Sequence, residues 1–253
     1  MNLIKPIWPA PKNVHTLVTT RDGGVSDAPY GTLNLGDHVG DESSKVIANR
    51  QIVSKLLPTE PVWLKQTHGI KVSTPKSRSG GSKNTIEADA AVSNIPDEVL
   101  VIMTADCLPV LFSSADGSVI GVAHAGWRGL CNGVLENTVS EILKLAPHTH
   151  TSDLVSWMGP AIGPESFEVS EDVVGRFAES GLHDIAKCFL PIANKPGKYL
   201  ADIYQLARDR LKEAGVHSIF GGEFCTVKDG GRFFSYRRDG VSGRFASLIW
   251  IAK

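Results

Sequence analysis

No run among the 253 residues is apolar for long enough to cross a bilayer, which excludes a helical membrane span. Charge of one sign is lacking as well. The 26 lysines and arginines and the 27 aspartates and glutamates leave a net charge of −1, so nothing marks a partner such as nucleic acid or an anionic membrane. Cysteines are few: Cys107, Cys131, Cys188 and Cys225 show no CxxC or disulfide-like spacing, and this predicts a reducing, cytoplasmic setting. Near the start, Pro6, Pro9 and Pro11 interrupt the stretch where a signal peptide needs an unbroken apolar core. Linkers that would separate two cores are also missing. With 42% hydrophobic and 21% charged residues, ordinary for a globular chain, residues 1–253 are expected to form one domain, as a monomer.

What is present concentrates between Val99 and Gly129. Two short apolar, β-branched runs, Val99 to Met103 and Val119 to Val122, read as strands, and each leads to a soft metal ligand at its C-terminal end. Cys107 follows the first and His124 the second. His68, in KQTHG after the strand-like PVWLK, stands in a similar context. A lone histidine is more often structural, and it is the recurrence of ligand types at strand ends that groups these three. Two imidazoles and a thiolate leave a fourth position open, which suits a catalytic zinc; the same donors form blue-copper sites. Met103 would stand about 13 Å along a strand from Cys107, too far for an axial ligand. A multicopper cluster would need many more histidines than eight, and the one HxH pair, His148 and His150, reads as solvated loop. A metal-free alternative uses Cys107 as nucleophile and His124 as base.

Charged residues flank this stretch. Asp106 stands between a buried strand and Cys107, where a carboxylate needs a reason. Asp89 precedes a core-like run and is either a turn residue or the partner that fixes a metal-bound imidazole. Arg128, in HAGWRG, stands where a strand turns into a helix. It either joins the helix N-terminus in an anion site or stacks on Trp127 or pairs with Asp106. Arg21, in the turn Arg21-Asp22-Gly23-Gly24 after the strand Val14 to Thr20, either faces a ligand or pairs with a carboxylate. The segment NLGDHVGD, Asn34 to Asp41, is turn-rich, with Asp41 as N-cap of a helix from Glu42 to Leu57. Ile47, Val53, Leu56 and Leu57 form that helix's core face.

The remaining chain mixes helices and strands. The loop Lys76 to Thr85 is polar and rich in Gly and Ser. Helices are expected from Leu130 to Leu145, from Ser170 or Glu171 to Ala178, and from Ala201 to Ala214 with Gly215 as its stop. Strands are expected at Pro61 to Lys65, Leu154 to Trp157, Ile219 to Phe220, Arg232 to Tyr236 and Arg244 to Ile251. Short antiparallel connections among these make the class α+β.

Taken in order, TTRDGGVS, NLGDHVGD, KQTHG, ADAAVS, TADCLPVLF, HAGWRG, GPAIGP and FFSYRRDGVSGRFASLIWI cover nearly the whole chain. Their combination resembles the laccase-domain, or polyphenol oxidase, family. The resemblance implies a mixed α/β/β/α sandwich similar to bacterial cysteine-dependent toxin deamidases, and a metal held by His68, Cys107 and His124. It implies a zinc-dependent enzyme of purine nucleosides, with phosphorolysis of adenosine, inosine and methylthioadenosine and deamination of adenosine. Other members are described as copper-dependent polyphenol oxidases, and one branch as a peptidoglycan editing factor. For such chemistry Asp106 and Asp89 are the candidate acid/base groups, and Arg128 and Arg21 the candidates for phosphate. Many members carry cysteine where this chain has Glu165 or Ser166 after GPAIGP, so no role of that cysteine carries over. The HxE and PCxxC signature of zinc deaminases is absent.

Overall fold

The apolar runs on either side of Cys107 are strands, in a computed structural model that describes residues 2–79 and 86–253. In chain order the elements are β1 (Leu3–Ile4), β2 (Val14–Thr19), α1 (Ser43–Ser54), β3 (Leu64–Lys65), β4 (Val72–Ser73), α2 (Pro75–Arg78), β5 (Ile86–Glu87) and β6 (Ala90–Ser93). Then follow β7 (Leu100–Thr104), β8 (Leu108–Ser114), β9 (Ile120–Ala125), α3 (Trp127–Asn132), α4 (Val134–Leu145), β10 (Leu154–Met158), β11 (Glu168–Ser170) and α5 (Glu171–Glu179). The last are β12 (Phe189–Pro191), β13 (Lys198–Ala201), α6 (Ile203–Glu213), β14 (Ser218–Gly221), α7 (Tyr236–Asp239) and β15 (Phe245–Ile251).

Two sheets carry the architecture. One runs β1-β2-β15-β7, antiparallel throughout. The other runs β14-β10-β8-β9-β6-β4, antiparallel at its centre, with β14 and β4 added in parallel at the edges. Strand parity assigns the layers. From β7, Leu100 and Ile102 meet Leu111, Ile120 and Val122 of the larger sheet in a core between the sheets. Val101 and Met103 point the other way and pack with Leu33, Leu35 and Val53 beneath α1. On the far face of the larger sheet, Val110, Phe112 and Ala123 pack with Val134, Ile142, Leu206 and Leu211 of α4 and α6. The layers are thus helix, sheet, sheet, helices, and the class is mixed α and β. Because the central strands are covered on both faces, they read as continuous apolar runs, and each fully buried large side chain contributes roughly 1.5–3 kcal/mol.

Five expectations change. Helix α1 is shorter than predicted and turned about its axis: Val46, Asn49 and Val53 are buried, whereas Ile47 and Leu56 face solvent. Asp41 is not its N-cap; its carboxylate accepts Ser26 Oγ (2.6 Å) and Asn34 Nδ2 (2.9 Å), tying down the preceding loop. The helix expected from Leu130 to Leu145 is two, because Gly133 takes φ 97°, closes α3 and starts α4. Arg232 to Tyr236 is not a strand: Ser235 Oγ accepts the N–H of Arg238 and caps α7 instead. Of the expected loop Lys76 to Thr85, Lys76 to Arg78 belong to α2, capped by Thr74, and the half-buried Arg78 pairs with Glu98 (2.5 Å); residues 80–85 lie outside the described residues.

Candidate metal centre and its cavity

The connection after β3 supplies His68, the tight turn from β7 to β8 supplies Cys107, and β9 supplies His124. The ligand atoms of the three lie within 4.8 Å of one another, and among the described residues no second such group forms. His68 Nε2 stands 3.8 Å from Cys107 Sγ, and the two imidazoles meet edge to face with centroids 4.7 Å apart. The backbone bends sharply to achieve this: His68 has φ 60° and Asp106, beside Cys107, has φ 90°. Non-glycine residues in this region cluster at functional sites. Gly126 is needed too, since a Cβ there would come 2.9 Å from Cys107 Sγ and 3.0 Å from His68 Cδ2.

Asp89, fully buried, holds the two histidines from behind. Its Oδ1 accepts His124 Nδ1 (2.8 Å) and the N–H of His68 (2.9 Å); its Oδ2 accepts the N–H groups of Thr67 and Gly69 and the Thr67 hydroxyl. Burial alone would raise its pKa, but the bonds from His124, Gly69 and Thr67 outweigh burial and hold it well below the usual carboxylate range. The same competition shapes the pair in front of it. Burial opposes both charges, yet the neighbouring imidazoles bring the Cys107 thiol down to about 6, and Cys107 and Asp89 lift His124 to about 9. A thiolate and two oriented imidazoles, within one ion's reach, fit a tetrahedral metal with one position left for another ligand.

These residues line a cavity of about 450 Å³, a size that suits a small-molecule ligand. Of the residues singled out from sequence, His68, Cys107, His124, Asp106 and Arg128 come together on its wall. Asp106 Oδ1 accepts the Thr226 hydroxyl (2.6 Å) and Oδ2 the N–H of Arg237 (2.7 Å), so the turn bearing Cys107 is clamped to the C-terminal segment. Arg128 is exposed and its guanidinium lies over the Trp127 ring, 4.5 Å from its centroid. Helix α3, at six residues, is too short to make the expected helix-terminus anion site.

Two expectations fall outside the cavity. Arg21 is spent elsewhere: its Nε and Nη1 donate to the carbonyls of Gly31 (3.1 Å) and Gly230 (2.9 Å), and it covers Phe234. Asp89 is enclosed by five donors and lies off the cavity wall, which suits positioning rather than proton transfer. Conversely Met103, placed 13 Å away by a straight strand, lines the cavity, because the chain reverses at Asp106. Sequence reading passed over Phe167, Ile203, Tyr236, Arg237 and Arg244, which also line it, and His38 from NLGDHVGD. The one signal for them was the density of arginines in FFSYRRDGVSGRF. After GPAIGP, Glu165 pairs with Lys228 at the surface, and Ser166 Oγ accepts from the thiol of Cys225 (3.6 Å), a cysteine brought in from elsewhere in the chain.

Residues 15–252 match the family described as multi-copper polyphenol oxidoreductase laccase. The chain belongs to this family. It is 48% identical over 253 residues, 99% of both chains, to a protein of Haemophilus influenzae named purine nucleoside phosphorylase. It is 48% identical over 251 residues, 98% of both chains, to purine nucleoside phosphorylase YfiH of Escherichia coli. The crystal structure of protein NMB0706 from Neisseria meningitidis superposes with a TM-score of 0.91 at 45% identity over the whole of both chains. Among the described residues one histidine–cysteine cluster forms, and His148 and His150 are exposed, as expected. No helix among the described residues is long and apolar enough to cross a membrane.

Proposed function

We propose that this chain is a zinc-dependent purine nucleoside enzyme that cleaves adenosine, inosine and methylthioadenosine with phosphate and also deaminates adenosine. The observation that carries the reading is one cavity that joins the His68–Cys107–His124 cluster to aromatic and cationic walls. The relatives' names point the same way. Zinc held by the three side chains would supply Lewis acidity and a means of activating water.

The rest of the chemistry belongs to this chain's own residues. Trp127, Phe167 and Tyr236 offer faces against which a purine stacks, and Ile162 and Ile203 exclude water from it. Guanidinium groups on the wall bind the phosphate and neutralise it. Asp106 is the carboxylate on the wall and takes the acid/base role; Asp89 keeps the imidazole of His124 in the tautomer whose Nε2 is free. Incubation of zinc-loaded protein with inosine and phosphate tests this: free base and ribose 1-phosphate are expected, and Cys107→Ala is expected to release neither. No turnover at full zinc occupancy would overturn the reading.

A second reading, oxidation of phenols at copper, is favoured by Met103 lining the same cavity as a His₂Cys donor set. Oxygen consumption with a catechol by copper-loaded, zinc-free protein is the measurement that separates the two.

A further inference from the structure

The segment NLGDHVGD, Asn34 to Asp41, enters none of the chemistry above, although its His38 lines the cavity. In the structure it is built around one side chain of the cavity, Arg244. Asn34 is fully buried; its Oδ1 accepts the N–H of Arg244 (2.8 Å) and the N–H of Gly36 (2.9 Å), and its Nδ2 donates to the Gly36 carbonyl (3.1 Å). Leu35 N–H donates to the Arg244 carbonyl (3.0 Å). A Cβ on Gly36 would come 2.8 Å from Arg244 Cγ and 3.2 Å from its Cβ. Those are atoms at the root of the side chain, so they cannot swing aside without moving the guanidinium.

The guanidinium so held is only half used. Nη1 donates to the carbonyls of Ser242 (2.8 Å) and Gly243 (3.0 Å). Nε and Nη2 meet no acceptor among the described residues, and no carboxylate there lies within ion-pair distance of Arg244. A partly buried cation with two unused donor nitrogens, carrying three N–H groups between them and fixed at the wall of a cavity, is matched to an anion with paired oxygens. The other arginines of the wall differ. Arg237 is exposed and donates to the carbonyls of Glu168 (2.9 Å) and Ser166 (3.4 Å), and Arg128 is exposed over Trp127.

We propose that Arg244, seated by Asn34 and Gly36, binds the attacking phosphate. The inference rests on the phosphorolysis reading above. In that step an oxygen of hydrogen phosphate bonds to C1′ of the ribose as the C1′–N9 bond breaks. The bonding pair leaves with the purine, and the proton given up by hydrogen phosphate ends on a purine nitrogen. Arg244 holds the phosphate in line and balances its charge.

The test compares wild type, Arg244→Gln and Gly36→Ala, each loaded with zinc and checked for metal content and circular dichroism. Inorganic phosphate alone is titrated by calorimetry, and inosine phosphorolysis is followed at varied phosphate and varied inosine. Expected is a loss of phosphate binding in Arg244→Gln, with the KM for phosphate raised about 10–100-fold and the KM for inosine within about twofold. Gly36→Ala, which keeps the charge and moves it, should show the same selective defect in smaller measure. Phosphorolysis with an unchanged phosphate KM in Arg244→Gln would overturn the assignment and leave the phosphorylase reading standing. Phosphate binding that depends on Arg244 without any phosphorolysis would keep the anion site and remove the phosphorylase reading. If Arg244→Gln fails to fold, Gly36→Ala decides: an unchanged phosphate KM there overturns the assignment.

Discussion

Asp89 Oδ1 and His124 Nδ1 lie 2.8 Å apart with both side chains buried, and the same carboxylate accepts the backbone N–H of His68. One carboxylate therefore aims His124 on β9 and shapes the turn that presents His68. Its removal should act on the metal before it acts on chemistry. Asp89→Asn, which keeps the shape and removes the charge, is expected to weaken zinc binding by about 10–100-fold, read by competition with a chromogenic chelator. Equal zinc affinity in mutant and wild type would show that the contact is structural only.

Metal occupancy should decide which thiols react. In protein stripped with a chelator, Cys107 faces the cavity and is expected to be alkylated by iodoacetamide; with zinc restored it should be protected. Cys188 is buried, and burial together with Asp209 pushes its thiol up to about 12, so it should stay unmodified in both states. Peptide mapping by mass spectrometry checks this, and modification of Cys107 at full zinc occupancy would remove it from the ligand set.

Asp106 can be separated from the metal. Asparagine tolerates the φ of 90° found there better than most residues, so Asp106→Asn isolates the carboxylate charge. We expect kcat to fall by about 10²–10⁴-fold with zinc content unchanged. A loss confined to KM would assign Asp106 to binding instead.

The corrected face of α1 is testable by stability alone. Val53 is fully buried and Ile47 is exposed, though both stood on the core side expected from sequence. Val53→Ala should cost about 2 kcal/mol in urea unfolding, and Ile47→Ser no more than about 0.5 kcal/mol. Comparable losses at both would restore the expected face.

The cluster of His68, Cys107 and His124 was legible in the sequence because a strand end is a local feature, marked by a β-branched run and the turn after it. Arg21 shows why local signals stop there. A guanidinium in a Gly-rich turn looks available, and only the fold reveals that Gly230, more than two hundred residues away, supplies a carbonyl for it. Arg244 fails in the opposite sense: it sits at the start of an apolar strand, and what frees its donors is the long-range seat made by Asn34 and Gly36. The helix break at Gly133 was hidden for a simpler reason. Leu130, Val134, Thr138 and Ile142 keep a helical spacing across it, and all four are buried. Arg232 to Tyr236 carries buried Phe233 and Phe234, yet the hydroxyl of Ser235 starts a helix where those aromatics suggested a strand.

The strand β15 pairs with β2 on one side and β7 on the other, so a strand made after both of its partners lies inside the smaller sheet. During synthesis β2 and β7 therefore wait, with their partner edges open, until residues 245–251 leave the ribosome. His68, Cys107 and His124 emerge much earlier, whereas Arg237 and Arg244 arrive with that closing strand. A chain released before residues 245–251 are made would hold His68, Cys107 and His124 and have neither a closed sheet nor a finished cavity, a natural substrate for proteolytic quality control.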